Sequence, residues 1–275
     1  MTFNYFKSKE VSHLVDNYFE LEFDNTDLPF ESTILPTAQT HLVFIYPHTQ
    51  KVIIKNNAFL INGLTLFGQS FRAYKLEVNQ PGFSFGVNLH PTTLHKILGI
   101  DISIYQDKHI SLDAINKQLF DILSPVLKEN SSSESKIDEI EKILINLPLK
   151  EDKNIEYIDK AVNLIRSKEG LLSVESLLES IPVSQKTLET QFKLIVGLTP
   201  GKYIKLLRFL CLMKKFETQE LELKDVIQMY DYYDRSHFTK DFKLFMNNTI
   251  QNYLYENNDL LLKTYLKRND YDFLQ

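Results

Sequence analysis

Short runs of β-branched and aromatic residues, separated by turn residues, fill the first 100 positions of the chain. Most of them are bounded by Pro, Asn or Gly, and one alternates apolar and polar residues as a half-buried strand does. The segments with this character are 42–47, 51–55, 58–63, 71–78 and 83–89. Several short strands at this spacing predict a small β-barrel or β-sandwich in the N-terminal half of the chain.

The hydrophobic period lengthens beyond the strand region. Apolar residues recur three or four positions apart in 111–128 and in 137–147, which predicts a helical hairpin. The segment 147–154 is typical of a domain linker, and every signal after it is helical. We therefore expect an α+β fold with two domains. Residues 1–150 would form a β-rich effector-binding or dimerisation domain with C-terminal helices, and residues 151–275 an all-α domain.

An internal repeat with a spacing of 50 residues organises the second half. Ser184 and Asp234 are both residue types that favour a helix N-cap, and a stripe of apolar residues at helical spacing follows each one. The paired positions are Ser184 with Asp234, Leu188 with Phe238, Phe192 with Phe242, Ile195 with Phe245, Thr199 with Thr249, and Tyr203 with Tyr253. A short apolar helix precedes each capped helix, so the repeat predicts two helix-turn-helix units joined by a helical strut at 202–216.

The outer faces of the two capped helices are polar and carry basic residues. Helices that read DNA place N-terminal residues against base edges and later basic residues against phosphates. The candidate DNA-binding residues are Lys186, Thr187, Glu189, Thr190 and Lys193 on the first helix, and Arg235, Ser236, His237, Thr239, Lys240 and Lys243 on the second. For His237, packing or a phosphate contact is the expected role.

The charge of the chain limits where a DNA-binding face can lie. The net charge is −5, with 13 basic and 17 acidic residues in 1–150 and 18 and 19 in 151–275. Neither half is basic overall, so a DNA-binding face must come from local clustering of basic residues. Among the histidines of the strand region (His41, His48, His90 and His95) there is no His-x-His pair, and we expect no metal site.

The composition also bears on the compartment and on chemistry. Cys211 is the single cysteine, so a disulfide framework is excluded and a buried apolar role in a reducing cytoplasm is expected. We find no secretory signal and no apolar run of transmembrane length, and we expect no membrane partner. No nucleophile–base pair, phosphate loop or carboxylate pair stands out, so we expect neither an enzyme nor a cofactor.

Two segments resemble the DNA-binding module of AraC/XylS regulators. Residues 173–209 are similar to its first helix-turn-helix and 225–245 to its second, with YYDRSHFTKDFK as the most specific stretch. The resemblance implies a seven-helix DNA-binding domain that begins near Asn154, and it makes a homodimer plausible. Residues 82–100 more faintly resemble a small β-domain that precedes this module in some regulators.

The resemblance has departures at the turns and on the first recognition helix. Pro182 and Asp231 stand where the family has glycine, and Glu189 stands where a base-facing residue is expected. Glutamate accepts a hydrogen bond from cytosine N4 but is repelled by phosphates. The first unit is therefore expected to bind DNA more weakly than the second.

Three functional classes follow from these observations. The first is a sequence-specific transcription regulator that binds double-stranded promoter DNA, responds to a small-molecule effector, and contacts RNA polymerase if it is an activator. The second is a protein-interaction module with a degenerate helix-turn-helix and no DNA binding. The third is an enzyme with a metal or cofactor in the barrel. Aromatic residues in the strand region would form either core or an effector pocket, and core packing is favoured; the candidates are Phe44, Tyr46, Phe59, Phe67, Phe71, Tyr74, Phe83 and Phe85.

Overall fold

A computed structural model describes residues 1–54, 57–218 and 221–255, and its N-terminal half is built on one antiparallel sheet. Its eight strands are β1 (Thr2–Lys7), β2 (Val15–Phe23), β3 (Phe30–Ile34), β4 (Thr40–Ile54), β5 (Asn57–Phe67), β6 (Tyr74–Val78), β7 (Gly82–Leu89) and β8 (His109–Ser111). The main path runs β1-β2-β7-β4-β5-β8, and β6 joins β3 to β4.

The long strand β4 belongs to two arms of this sheet. Its first part, from Thr40 to Tyr46, pairs with β7, and its last part pairs with β6 through 51–53. The pairing with β5 shifts register between Ile45 and Gln50, and such an irregularity bends a strand. The sequence segments 42–47 and 51–55 are therefore one bent strand; Lys55 lies outside the described residues.

The sequence predicts a small β-barrel or β-sandwich, and the structure confirms a β-rich antiparallel sheet but not a closed barrel. Within the described residues, β1 and β8 end the main path and are not paired with each other, so the sheet stays open. The predicted strand at 71–78 is also shorter, because β6 begins at Tyr74. Phe71 leaves the sheet and packs in the core of the helical half. Strands β1, β2 and β3 were not among the predicted segments.

Three helices complete this half. Helix α1 spans Thr93–Leu98, and the predicted hairpin is formed by α2 (Lys117–Lys128) and α3 (Ser133–Asn146). Buried residues of α2 and α3, including Leu119, Leu123 and Ile140, pack in one cluster with residues of the sheet. The hairpin therefore covers one side of the sheet, as the helical stripe predicts.

Seven helices lie between residue 153 and the end of the described chain. They are α4 (Lys153–Ser167), α5 (Val174–Ser180), α6 (Gln185–Val196), α7 (Pro200–Thr218), α8 (Leu223–Met229), α9 (Arg235–Met246) and α10 (Ile250–Tyr255). The count and the start agree with what the family resemblance implies, and 256–275 fall outside the described residues. Helix α7 is the expected strut and is buried on most of its surface, with Cys211 among its buried side chains.

The two halves touch through polar and aromatic contacts. Asp16 of the first half accepts two hydrogen bonds from the Arg166 guanidinium of α4, at 3.0 and 2.7 Å. The Ala73 amide donates to the carbonyl of Phe245 at the end of α9, at 2.6 Å, and the rings of Phe71 and Phe245 meet edge to face. The strand half therefore packs directly against α9, and its residues 102–105 and helix α1 also contact α6.

Candidate nucleic-acid interface

The two helix-turn-helix units begin their second helices in the same way. The Ser184 side chain accepts from the Thr187 amide and the Asp234 side chain accepts from the His237 amide, at 3.2 and 2.7 Å. Each cap satisfies one of the amides that a helix N-terminus leaves without an internal partner. The predicted starts of α6 and α9 are thus set by local chemistry.

The same helices also end in equivalent ways. Gly197 and Asn247 follow α6 and α9 in the left-handed conformation, and their amides donate to the carbonyls of Lys193 and Lys243. Glycine and asparagine are the residues that adopt this conformation most readily. These positions are 50 residues apart, so the repeat extends to the C-terminal caps.

The apolar stripes of the repeat are buried and the polar stripes face outward. Leu188, Phe192, Phe238 and Phe242 are each 0% exposed. The candidate DNA-binding residues that are exposed are Lys186, Glu189, Thr190, Lys193, Arg235, Ser236, Lys240 and Lys243. Each unit therefore presents its predicted polar face to solvent while its apolar face holds the core.

The remaining three candidates are half-buried and engaged within their own unit. The Thr187 hydroxyl lies 2.9 Å from the Ser184 hydroxyl, and the Thr239 hydroxyl donates to the Arg235 carbonyl at 2.8 Å. The His237 ring packs edge to face on Tyr232, with 5.0 Å between the ring centroids. The sequence leaves packing or a phosphate contact open for His237, and the structure shows the packing contact on Tyr232.

The charge on the two outer faces differs. On α6, Glu189 is exposed and accepts from Gln185 at 2.8 Å, so a carboxylate stays on that face. On α9 the carboxylate of Asp241 is 2% exposed and is paired with Lys205 at 2.5 Å. Within α9 the exposed charged side chains are therefore all cationic, with the exposed carboxylate of the N-cap Asp234 just before them, whereas the exposed charged side chains of α6 are of both signs.

The turns between the paired helices also differ. Asp231 adopts a positive φ of 56°, the left-handed region that favours glycine. Pro182 lies in the other turn, and its ring fixes φ near −65°. The turn of the second unit therefore has the backbone conformation that favours glycine, although Asp231 occupies it. The turn of the first unit, which contains Pro182, has a different backbone conformation.

We expect Asp231→Gly to raise the free energy of unfolding by about 0.5–1 kcal/mol, because glycine adopts the left-handed region without the steric cost of a Cβ. Urea denaturation of the variant and the parent checks this. The matched control is Asp225→Gly, which lies inside α8 and should lower stability, since glycine disfavours a helix. If Asp231→Gly lowered the free energy of unfolding instead, the Asp231 side chain would make a stabilising interaction in the folded protein.

One exposed aromatic side chain escaped the sequence prediction. Tyr233 is 93% exposed, in the turn directly before the N-cap of α9. It precedes the N-cap Asp234 by one position and the exposed Arg235 by two. The sequence carries a Tyr-Tyr pair at 232–233, and the structure buries the other ring; Tyr232 is 5% exposed.

A cavity lies between the two arms of the sheet. It encloses about 790 Å³, including its opening to solvent, and is lined mainly by aromatic and aliphatic side chains from β1 to β7. Of the predicted pocket aromatics, Phe67 and Tyr74 line it. Phe44 and Phe85 instead lie in the core beneath the helical hairpin, and Tyr46 and Phe59 are exposed.

Three histidines of the strand half are held by hydrogen bonds, whereas both ring nitrogens of His109 in β8 are buried and have no hydrogen-bond partner among the described residues. His41, His90 and His95 are hydrogen-bonded to Asn88, Thr92 and the Ile100 carbonyl. Over residues 1–54, 57–218 and 221–255, no three His, Cys, Asp or Glu side chains are grouped as metal ligands would be. Over the same ranges, no helix is both long and apolar enough to span a bilayer.

Comparisons with known proteins match both halves of the chain. A domain of unknown function, DUF6597, matches residues 5–111, and a helix-turn-helix domain model, HTH_18, matches residues 177–255. A search of curated proteins found no significant match.

The solved structures that match this chain include ToxT and an AraC-like transcriptional activator. ToxT from Vibrio cholerae is 14% identical with a TM-score of 0.44, over 93% of this chain and 98% of that one. An unsaturated fatty acid-bound ToxT gives 14% and 0.45, over 92% and 95%. The AraC-like transcriptional activator CuxR gives 12% and 0.24, over 71% and 73%. Similarity at this level does not transfer a ligand to this chain.

The family match and the paired units fall on the same residues. Both capped helices, their buried stripes and the joining helix α7 lie within 177–255. Residues 177–255 are therefore an AraC-type helix-turn-helix domain, the type of DNA-binding domain that AraC-family transcription regulators carry.

Proposed function

We propose that the protein is a sequence-specific DNA-binding transcription regulator that uses α6 and α9 as its recognition helices. The observation that carries this proposal is the face of α9, which exposes Arg235, Lys240 and Lys243 while its carboxylate, Asp241, is buried and neutralised by Lys205. A cationic face on a capped helix is what phosphate contacts require.

The residues divide into two roles by their position on the helices. Arg235 and Ser236, at the N-terminal end of α9, would face base edges, and Lys240 and Lys243 would hold phosphates. On α6 the matching assignments are Lys186 and Thr190 for bases and Lys193 for a phosphate. The two helices would enter successive major grooves, roughly 34 Å apart along the duplex.

The second candidate function is a protein-interaction module without DNA binding. The observation that favours it is the first unit, where Glu189 keeps a negative charge on the recognition face. A carboxylate beside phosphates opposes binding unless it accepts from cytosine N4. In the regulator hypothesis, the second unit would therefore supply most of the affinity.

The strand half, with a boundary near residue 150, would serve as an effector and dimerisation domain. Its cavity is lined mainly by aromatic and aliphatic side chains with a few neutral polar groups, the usual composition of a small-molecule site. Ile122 and Ile145, on the helical hairpin, are 45% and 52% exposed and would lie in a homodimer seam. RNA polymerase would be a further partner if the protein is an activator.

The test is to map the protein on chromosomal DNA and then titrate salt on the strongest site. Affinity should fall steeply with salt, and Lys240→Ala/Lys243→Ala should reduce the slope of log K against log salt by about 2, since each phosphate contact contributes about 0.9. Lys142→Ala, on the exposed side of the hairpin, is the matched control and should leave the slope unchanged. Absence of binding to any fragment at low salt would favour the interaction module.

A further inference from the structure

Among the residues that the structure describes, no Asp, Glu, Lys or Arg lines the cavity between the arms of the sheet. Its walls are aromatic and aliphatic, and the lining residues with polar groups are Thr33, Thr37, His41, Gln50, Ser84, Asn88 and the phenols Tyr5 and Tyr74. Ligand sites are commonly apolar with a few polar groups that fix orientation. The character of those few groups therefore decides which ligands fit.

The polar groups at one end form a neutral hydrogen-bonded chain. The His41 ring contacts the Thr37 hydroxyl through Nε2 and the Asn88 side-chain oxygen through Nδ1, at 2.6 Å for the latter. Asn88 in turn donates to Asn17 at 2.5 Å. Burial lowers the pKa of His41 to about 4, so the imidazole is neutral at neutral pH. Among the lining residues that the structure describes, none at this end supplies a cation to pair with an anionic ligand.

The other polar end is also neutral. Gln50 donates to the Ser84 hydroxyl at 2.9 Å, which leaves the hydroxyl proton of Ser84 for a further acceptor. Ser84 and Asn88 lie four residues apart on β7, so the two ends are separated by about 13 Å along the strand. A ligand spanning both ends would be elongated, with an apolar middle.

We propose that this cavity binds an uncharged, largely apolar molecule that hydrogen-bonds through neutral groups at the His41–Asn88 end or the Gln50–Ser84 end. An ionised ligand would lose its hydration without gaining a counter-charge, and that cost is large in a buried site. A neutral ligand loses only apolar hydration and keeps its hydrogen bonds. The inference rests on the proposed role of the strand half as an effector domain, and it names the ligand class for that role.

The test uses two fluorescent probes that share one aromatic skeleton. N-phenyl-1-naphthylamine is neutral, and 8-anilinonaphthalene-1-sulfonate carries a sulfonate on the same rings. We expect the neutral probe to bind the full chain with one site and at least about tenfold more tightly than the anion, because the unpaired sulfonate is not compensated. Equal or tighter binding of the anion would overturn the proposal.

Three variants test whether the probe binds in this cavity. Val43→Phe fills the space and should abolish tight binding of the neutral probe, whereas Leu60→Ser, at a 71% exposed site, should not change it. Thr33→Lys adds a cation to the half-buried part of the lining and should shift the preference toward the sulfonate by about tenfold or more. An unchanged preference in Thr33→Lys, with native circular dichroism, would place the probe elsewhere and contradict the assignment.

The probe result is independent of DNA binding. If the neutral probe fails to bind while the chain still binds promoter fragments with a steep salt slope, the ligand class is wrong and the regulator proposal stands. If the probe binds as expected and no DNA is bound, the ligand class stands and the regulator proposal falls.

Discussion

Replacing Arg166 by leucine should lower the free energy of unfolding by about 3–5 kcal/mol, because the substitution leaves the Asp16 carboxylate buried without its counter-charge. Both side chains are 8% exposed. The guanidinium holds two carboxylate oxygens and also donates to the Tyr203 hydroxyl at 3.3 Å. Urea denaturation of the variant and the parent at neutral pH measures the loss.

The pH dependence gives this prediction a second readout. Burial alone would raise the pKa of Asp16, but the Arg166 charge, the hydrogen bonds from Arg166 and Gln39, and the nearby His90 together outweigh burial and hold that pKa below its usual value. The pair therefore stabilises the folded parent above about pH 4 and loses that contribution as pH falls further. Without Arg166, burial raises the Asp16 pKa, so protonation relieves the buried charge. The stability gap between parent and variant should narrow as the pH is lowered from 7.

Two controls separate the buried pair from a general loss of charge. Lys9→Leu removes an exposed ion pair with Asp138, in which both side chains are 50% exposed, and should leave the free energy of unfolding nearly unchanged, because solvent screens such a pair. The double variant Asp16→Leu/Arg166→Leu should recover part of the loss, because no charge is then left buried. If Arg166→Leu costs no more than Lys9→Leu, the pair contributes little to holding the two halves together.

Replacing Phe209 by alanine should lower the free energy of unfolding by about 3–5 kcal/mol, the usual cost of a large cavity in a well-packed core. Phe209 of α7 is 0% exposed, and its ring lies 6.4, 5.9 and 4.8 Å from those of Phe238, Phe242 and Phe245. Without the Phe209 ring, α9 would pack less tightly against α7. DNA affinity should therefore fall, although no residue on the exposed face of α9 changes.

A conservative variant and a surface variant serve as controls for the loss of stability in Phe209→Ala. Phe209→Leu should cost under about 1.5 kcal/mol, since most of the apolar volume remains. Tyr233→Ala removes an equally large ring from a 93% exposed site and should change stability by no more than about 0.5 kcal/mol. Equal losses for Phe209→Ala and Phe209→Leu would mean that the second unit repacks around the cavity.

The candidate interface was predictable because its signals are local. Helix caps, apolar stripes and basic residues at a spacing of 50 each act within one or two turns of helix, and the structure places the stripes inside and most of the predicted site residues outside. The burial of the Asp241 carboxylate was not predictable from such local signals. Its partner Lys205 lies 36 residues away, and only the packing of α7 against α9 removes this carboxylate from the exposed face.

The sequence by itself determined the two helix-turn-helix units, the helical hairpin and the β-rich character of the first half, since each follows from short-range periodicity and turn chemistry. Only the tertiary structure decided that the sheet stays open, that its arms enclose a neutral cavity, and that Asp16 meets Arg166 across 150 residues. Asp16 lies where the pairing of β2 with β7 shifts register, between Val15 and Asn17. Pairings between distant segments depend on how whole elements pack, and no local pattern encodes them.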